Sequence, residues 1–197
     1  MAEPLLAVAS AAVPDSVLDA TRDSVLAVGV RRTTLTDVAR RAGVSRMTLY
    51  RMVPDVQTLV MAMLTREFGR LLDDVEGSAR RRRTARGRLT AIAVEVARRL
   101  PDEPVYRRVI DVDPELLLPY LTDRFGSTQH LAIAHVRDLI LEGIRDRSVR
   151  RGDPDVLATT LVLVLTPFIV SARAVAAASR DAVLAEVERL VDSWLAP

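Results

Sequence analysis

Three residue types are missing from these 197 residues: cysteine, lysine and asparagine. Without cysteine no disulfide and no thiolate-held metal can form, which agrees with a reducing, cytoplasmic setting. Without lysine, all 28 basic residues are arginine. Arginine keeps its charge and bonds bidentately, but the joint loss of lysine and asparagine points to codon bias rather than to selected chemistry. No glycine-rich phosphate loop, alternating strand pattern, internal repeat or serine-hydrolase motif occurs. The two histidines, His130 and His135, stand five residues apart and so on different faces of a helix, with no carboxylate at ligand spacing. These absences predict no metal site, no catalytic residue and no cofactor, and hence no enzyme. Asp111, Asp113 and Glu115 gather beside Pro114 and read as a turn.

Membrane signals are equally thin. Between Asp155 and Arg173 the chain is uncharged for 17 residues, the lower edge of the ~17–25 that span a bilayer. Pro167 interrupts that run, so a buried interface helix is the better reading. The N-terminal MAEPLLAVASAAVPDS imitates a signal peptide but has no arginine before its apolar stretch. Residues 1–13 are expected to form a flexible tail, and no membrane partner is expected.

What the chain does contain is helical periodicity and an uneven charge. Residues 1–88 hold 15 arginines against 10 acids, while residues 89–197 hold 13 against 16. A basic N-terminal part beside a mildly acidic remainder suits a protein that meets DNA with one end.

The charge is densest around Thr34 to Tyr50, TLTDVARRAGVSRMTLY. From Arg31 to Arg51 six arginines face a single acid, Asp37. Thr34 and Asp37 have capping-box spacing, so a helix should start there. Gly43 follows as the residue that takes positive φ at the helix end. Ser45 then caps a second helix whose Leu49 and Met52 or Val53 recur at helical spacing and pack on Val38. That leaves Arg46, Met47, Thr48, Tyr50 and Arg51 outward, on a helix of the size that enters a DNA major groove. The pattern is a helix-turn-helix.

This segment resembles the DNA-binding module of TetR-family transcriptional regulators. Thr34, the Val38-Ala39 pair, the Gly43-Val44-Ser45 turn and Thr48-Leu49-Tyr50 carry the likeness. A LacI-type motif begins similarly, but it stands at the extreme N-terminus before a large α/β domain. Here a full helix precedes the motif, only helical patterns follow, and Tyr50 replaces the LacI-type serine. Four positions depart from the family pattern: Arg22 and Ser24 stand in the first helix where apolar residues are usual, Val56 stands where a phosphate-binding lysine is common, and Met52 replaces an aromatic.

The resemblance implies an all-α fold, with a helix-turn-helix domain over residues 14–58 and a helical regulatory and dimerisation domain over 59–197. It implies double-stranded DNA with a palindromic operator, a homodimer and a small effector as partners. Thr34 and Thr36 are the expected backbone contacts, with Ser45, Arg46, Met47, Thr48, Tyr50 and Arg51 on the recognition helix. Arg46 and Thr48 would reach base edges and Tyr50 a phosphate. A cavity against the long helix would be lined by Met61, Met63, Tyr106, Tyr120, Phe125 and His135, which are large, adaptable or polar. So few polar groups predict a largely apolar effector. Plain core packing explains Tyr106, Tyr120, Phe125 and His135 at least as well. Leu157, Leu161, Leu165, Phe168, Val187, Leu190 and Trp194 are the expected dimer interface.

The expected helices are 15–28, two in the motif, 55–76, 89–100, 104–112, 114–123, 127–147, 154–179 and a last one ending near 195. The stretch Gly77 to Arg88, with six arginines, reads as a solvated loop about 30 Å from the DNA end, beyond useful range at a Debye length of ~8 Å. The reading is a ligand-responsive repressor; the alternative is a constitutive DNA-binding architectural protein with a filled core.

Overall fold

The computed structural model describes residues 13–197, which form α-helices and short 3-10 turns with no strand among them. Residues 1–12 of the expected tail lie outside the described residues, and Val13 is buried. In chain order the helices are α1 (Asp15–Val28), α2 (Leu35–Ala42), α3 (Arg46–Met52), α4 (Val56–Ala79), α5 (Ala85–Arg99), α6 (Pro104–Val112), α7 (Leu118–Thr122), α8 (Ser127–Arg145), α9 (Pro154–Val170) and α10 (Ala177–Leu195).

The chain forms two compact units. The first joins the residues up to Phe68 with Glu103–Thr128, and the second joins Gly69–Asp102 with Gln129–Pro197. This differs from a cut after residue 58: the start of α4 and the α6–α7 segment go with the N-terminal helices.

In the first unit α1 packs on α2 and α6, and α2 packs on α3. Val17, Val25, Val38, Leu49 and Val53 are buried between them. The polar residues that α1 carries inward are satisfied locally. Thr21 and Ser24 donate their hydroxyls to the carbonyls of Val17 and Ala20, at 2.7 and 2.8 Å. Such back-bonding to residue i−4 removes the penalty for a buried hydroxyl. Arg22 pairs with Glu67 at 3.4 Å. Arg66 gathers Asp15, Asp19 and Glu67 around a guanidinium that is largely buried. Burial opposes that charge, but hydrogen bonds to Glu67 and Asp15 outweigh it and raise the pKa above its ordinary value. These ion pairs tie α1 to the middle of α4.

In the second unit α5 packs on α10 and α9. Helix α4 runs three residues past its expected end, through Gly77, because Val75 and Ala79 are both buried and hold one more turn. The arginine-rich loop shrinks accordingly. Thr84 accepts from the Gly87 N–H at 3.1 Å and starts α5 four residues before its expected start at 89. Helix α9 tolerates Pro167 but stops at Val170, and α10 begins at Ala177.

Candidate nucleic-acid interface

The turn between α2 and α3 is built as the sequence predicts. Thr34 Oγ1 accepts from the Asp37 N–H at 3.1 Å and donates to the Asp37 carboxylate at 2.7 Å, closing the N-terminus of α2 from both sides. Gly43 adopts φ 69°, and its N–H and that of Val44 return to carbonyls of the last turn of α2. A side chain at that φ would be strained. Ser45 Oγ accepts from the Thr48 N–H at 3.0 Å and caps α3. Val38 and Leu49, both fully buried, lock the two helices together.

This packing aims one face of α3 outward. Arg46, Met47, Tyr50 and Arg51 are exposed, Met47 at 71% and Tyr50 at 53%. Thr48 is half-buried, and its hydroxyl lies 2.7 Å from Ser45 Oγ, so it is already engaged before any partner arrives. Thr36 is half-buried on the first turn of α2. Asp37 holds Arg40 at 2.8 Å. Among the described residues Arg32, Arg41, Arg46 and Arg51 form no ion pair, so the face keeps uncompensated positive charge. A concentrated positive face without acidic partners attracts a polyanion and releases its counterions.

One contact was not legible in the sequence. The loop after α1 is gripped by the turn that follows α6. Asp113, 2% exposed, accepts from the Val30 N–H at 2.8 Å, and Arg31 Nε donates to Glu115 at 2.8 Å. Glu115's own backbone N–H and Arg31 hold its carboxyl below the usual range. The acidic cluster was visible, but its partners lie 83 and 84 residues away. No local pattern could assign them.

The six expected ligand contacts do not fall in one unit. Met61, Met63 and Tyr106 are buried in the first; Tyr106 donates to the Leu64 carbonyl at 3.3 Å, and burial pushes its pKa up. Tyr120 and Phe125 are half-buried there, with the Arg124 guanidinium 5.3 Å from the Tyr120 ring centre. His135 belongs to the second unit, where its Nε2 is buried without a hydrogen-bond partner among the described residues. The second unit also contains a pocket of ≈ 280 Å³ whose lining includes Ala97, Arg98, Pro167, Phe168 and Leu184, and none of the six.

The expected interface residues divide by face. Leu157, Leu161, Leu165 and Val187 are buried in the second unit's own core, so they are unavailable to a partner. Phe168 and Leu190 are exposed, while Trp194 is half-buried under the Arg150 guanidinium, 4.9 Å from its ring centre. The outward apolar residues of α9 are instead Val156, Leu163, Val164 and Val170. Among the described residues no cluster of metal-ligating side chains occurs, and no helix is long and apolar enough to cross a membrane.

Comparison with known proteins agrees with this geometry. The profile described as "Bacterial regulatory proteins, tetR family" matches residues 17–52, which cover α1 to α3. The "uncharacterized HTH-type transcriptional regulator Rv2250c" of Mycobacterium tuberculosis is 35% identical over 180 residues, 91% of this chain and 92% of that protein. The TetR-family repressor QsdR of R. erythropolis has a similar fold, with a TM-score of 0.71 at 17% identity over 92% of this chain and 94% of its own. So does AlkX of Dietzia, a TetR-family repressor "implicated in biodegradation of n-alkanes", with a TM-score of 0.67 at 18% identity over 91% and 92%.

Proposed function

This chain belongs to the TetR family of bacterial transcriptional regulators, and from that premise we propose that it is a repressor released from its operator by a small, largely apolar effector. As a homodimer it would place two copies of α3 on the half-sites of a palindrome. Arg46, Arg51 and Met47 would face the bases, with Thr48 reaching them only by giving up its bond to Ser45. Tyr50 would meet a phosphate, and Thr34, Thr36 and Ser45 would add backbone contacts near the helix ends. The protein would work in the cytoplasm.

The observation that carries the ligand response is the grip of Asp113 and Glu115 on the loop after α1. Helix α6 bears the buried Tyr106 in its first turn and ends at this grip. A ligand that moves α6 therefore pulls directly on the segment leading into α2. Linkage limits the change in DNA affinity to the effector's preference for the released form, typically ~1–3 kcal/mol. The n-alkane context of the Dietzia AlkX repressor supports an apolar effector.

The test is a panel of long-chain alkanes, alcohols, fatty acids and acyl-CoA thioesters, each scored for melting temperature and for operator affinity. At least one compound should raise the first and lower the second. Stabilisation without loss of DNA affinity across the panel would favour the constitutive architectural binder.

A further inference from the structure

We propose that Met47 reads the 5-methyl group of a thymine, so that the operator's A·T pairs are recognised through that methyl rather than through adenine. The inference rests on the DNA-binding reading above and adds the chemistry of base selection. From Thr34 to Val53 the chain has no Asn, Gln, Glu, Lys or His. Asn and Gln are the side chains that bond adenine N6 and N7 as a pair, and a free carboxylate is what accepts from cytosine N4. The one acid, Asp37, is already held by Thr34 and Arg40. The Thr48 hydroxyl is engaged by Ser45. Two readable features of the major groove remain: guanine, by Arg46 or Arg51, and the thymine methyl, by an apolar tip.

Met47 is that tip. It stands between Arg46 and Thr48 on the first turn of α3 and, among the described residues, is the most exposed of the large hydrophobic ones, at 71%. Its long thioether is polarisable and adjusts to an irregular apolar surface. A second copy of this chain is a poor cover for it, because Arg46 and Arg51 on the same helix, which form no ion pair among the described residues, would repel their own images. The same charges draw in a polyanion.

The experiment selects operator duplexes from a random pool with the full-length protein, then replaces each thymine in turn with deoxyuracil, which removes only the methyl. One thymine in each half-site should lose about fourfold in affinity per half-site, the effect of exposing one methyl-sized group. Met47→Ala should bind the unmodified operator more weakly by a similar factor and be indifferent to deoxyuracil at that position; Met47→Leu should keep the sensitivity. Because the side chain is exposed, neither variant disturbs the core. Affinity unchanged at every deoxyuracil, or equal sensitivity in Met47→Ala, would overturn the assignment while leaving DNA binding intact. No enrichment from the pool would instead overturn the DNA-binding reading, and this inference with it.

Discussion

Helices α3 and α9 both leave large apolar side chains in solvent, yet they sit in opposite electrostatic surroundings. On α3, Met47 and Tyr50 are exposed among arginines; from Thr34 to Met52 four arginines face one acid. On α9 and α10, Val156, Leu163, Phe168 and Leu190 are exposed, and Pro154 to Leu195 holds three arginines against five acids. Apolar exposure alone says that something covers a surface. The charge around it narrows the choice: a positive face suits a polyanion, and a face with little net charge suits a protein partner.

The largest expected effect comes from putting a charge on the second of these faces. Leu163→Arg should give a folded monomer by sedimentation at micromolar concentration, with operator affinity down by roughly a hundredfold or more once bivalent docking is lost. Leu161→Glu, two positions away but fully buried, should instead unfold the second unit, since an unpaired buried carboxylate costs several kcal/mol. A Leu163→Arg protein that remains dimeric would break the comparison.

On the first face, Arg46→Ala should cost ~1–3 kcal/mol of operator binding and relax specificity at one base pair if it reads a guanine. Tyr50→Phe should weaken binding about equally across sequences, as a phosphate contact does. Titrations against the operator and a scrambled duplex separate the two outcomes.

A smaller effect concerns acid stability at the Asp113–Glu115 grip. Glu115 has a folded-state pKa below its ordinary value. Its contribution is therefore present above that ordinary value and lost as pH falls through the lowered one. Melting curves of wild type and Glu115→Gln should differ at neutral pH and converge well below pH ~4. Curves that stay parallel to pH 2 would mean that the Arg31–Glu115 pair contributes nothing. Because both groups are exposed, the separation should be slight.

The smallest change is expected from neutralising Arg80 to Arg83. They are exposed and belong to the second unit, so replacement by glutamine should leave operator affinity within about twofold at physiological salt. A tenfold loss would show that positive charge elsewhere in the chain also meets the DNA.

Much of this was legible in the residues themselves. Thr34, Gly43 and Ser45 act through hydrogen bonds to backbone within five residues, so spacing was enough to place α2, the turn and α3. Helix ends were legible where proline or glycine stood, as at Pro14 and Gly29, and misjudged where burial overrode them, as at Gly77. The interface stripe was legible only in part, for a different reason. Helix α9 is apolar on nearly every face, so its periodicity carries no phase and cannot say which leucines face the unit's own core.

The sequence by itself determined the local chemistry: an all-helical chain, a capped helix-turn-helix, a recognition helix with arginines, a methionine and a tyrosine outward. Those features depend on contacts a few residues apart, which a linear pattern encodes. Only the tertiary structure decided that Asp113 holds the loop after α1, that Leu161 faces inward while Leu163 faces out, and that Arg32, Arg41, Arg46 and Arg51 form no ion pair among the described residues. Each depends on which surfaces meet across long stretches of chain, where neither periodicity nor capping rules reach.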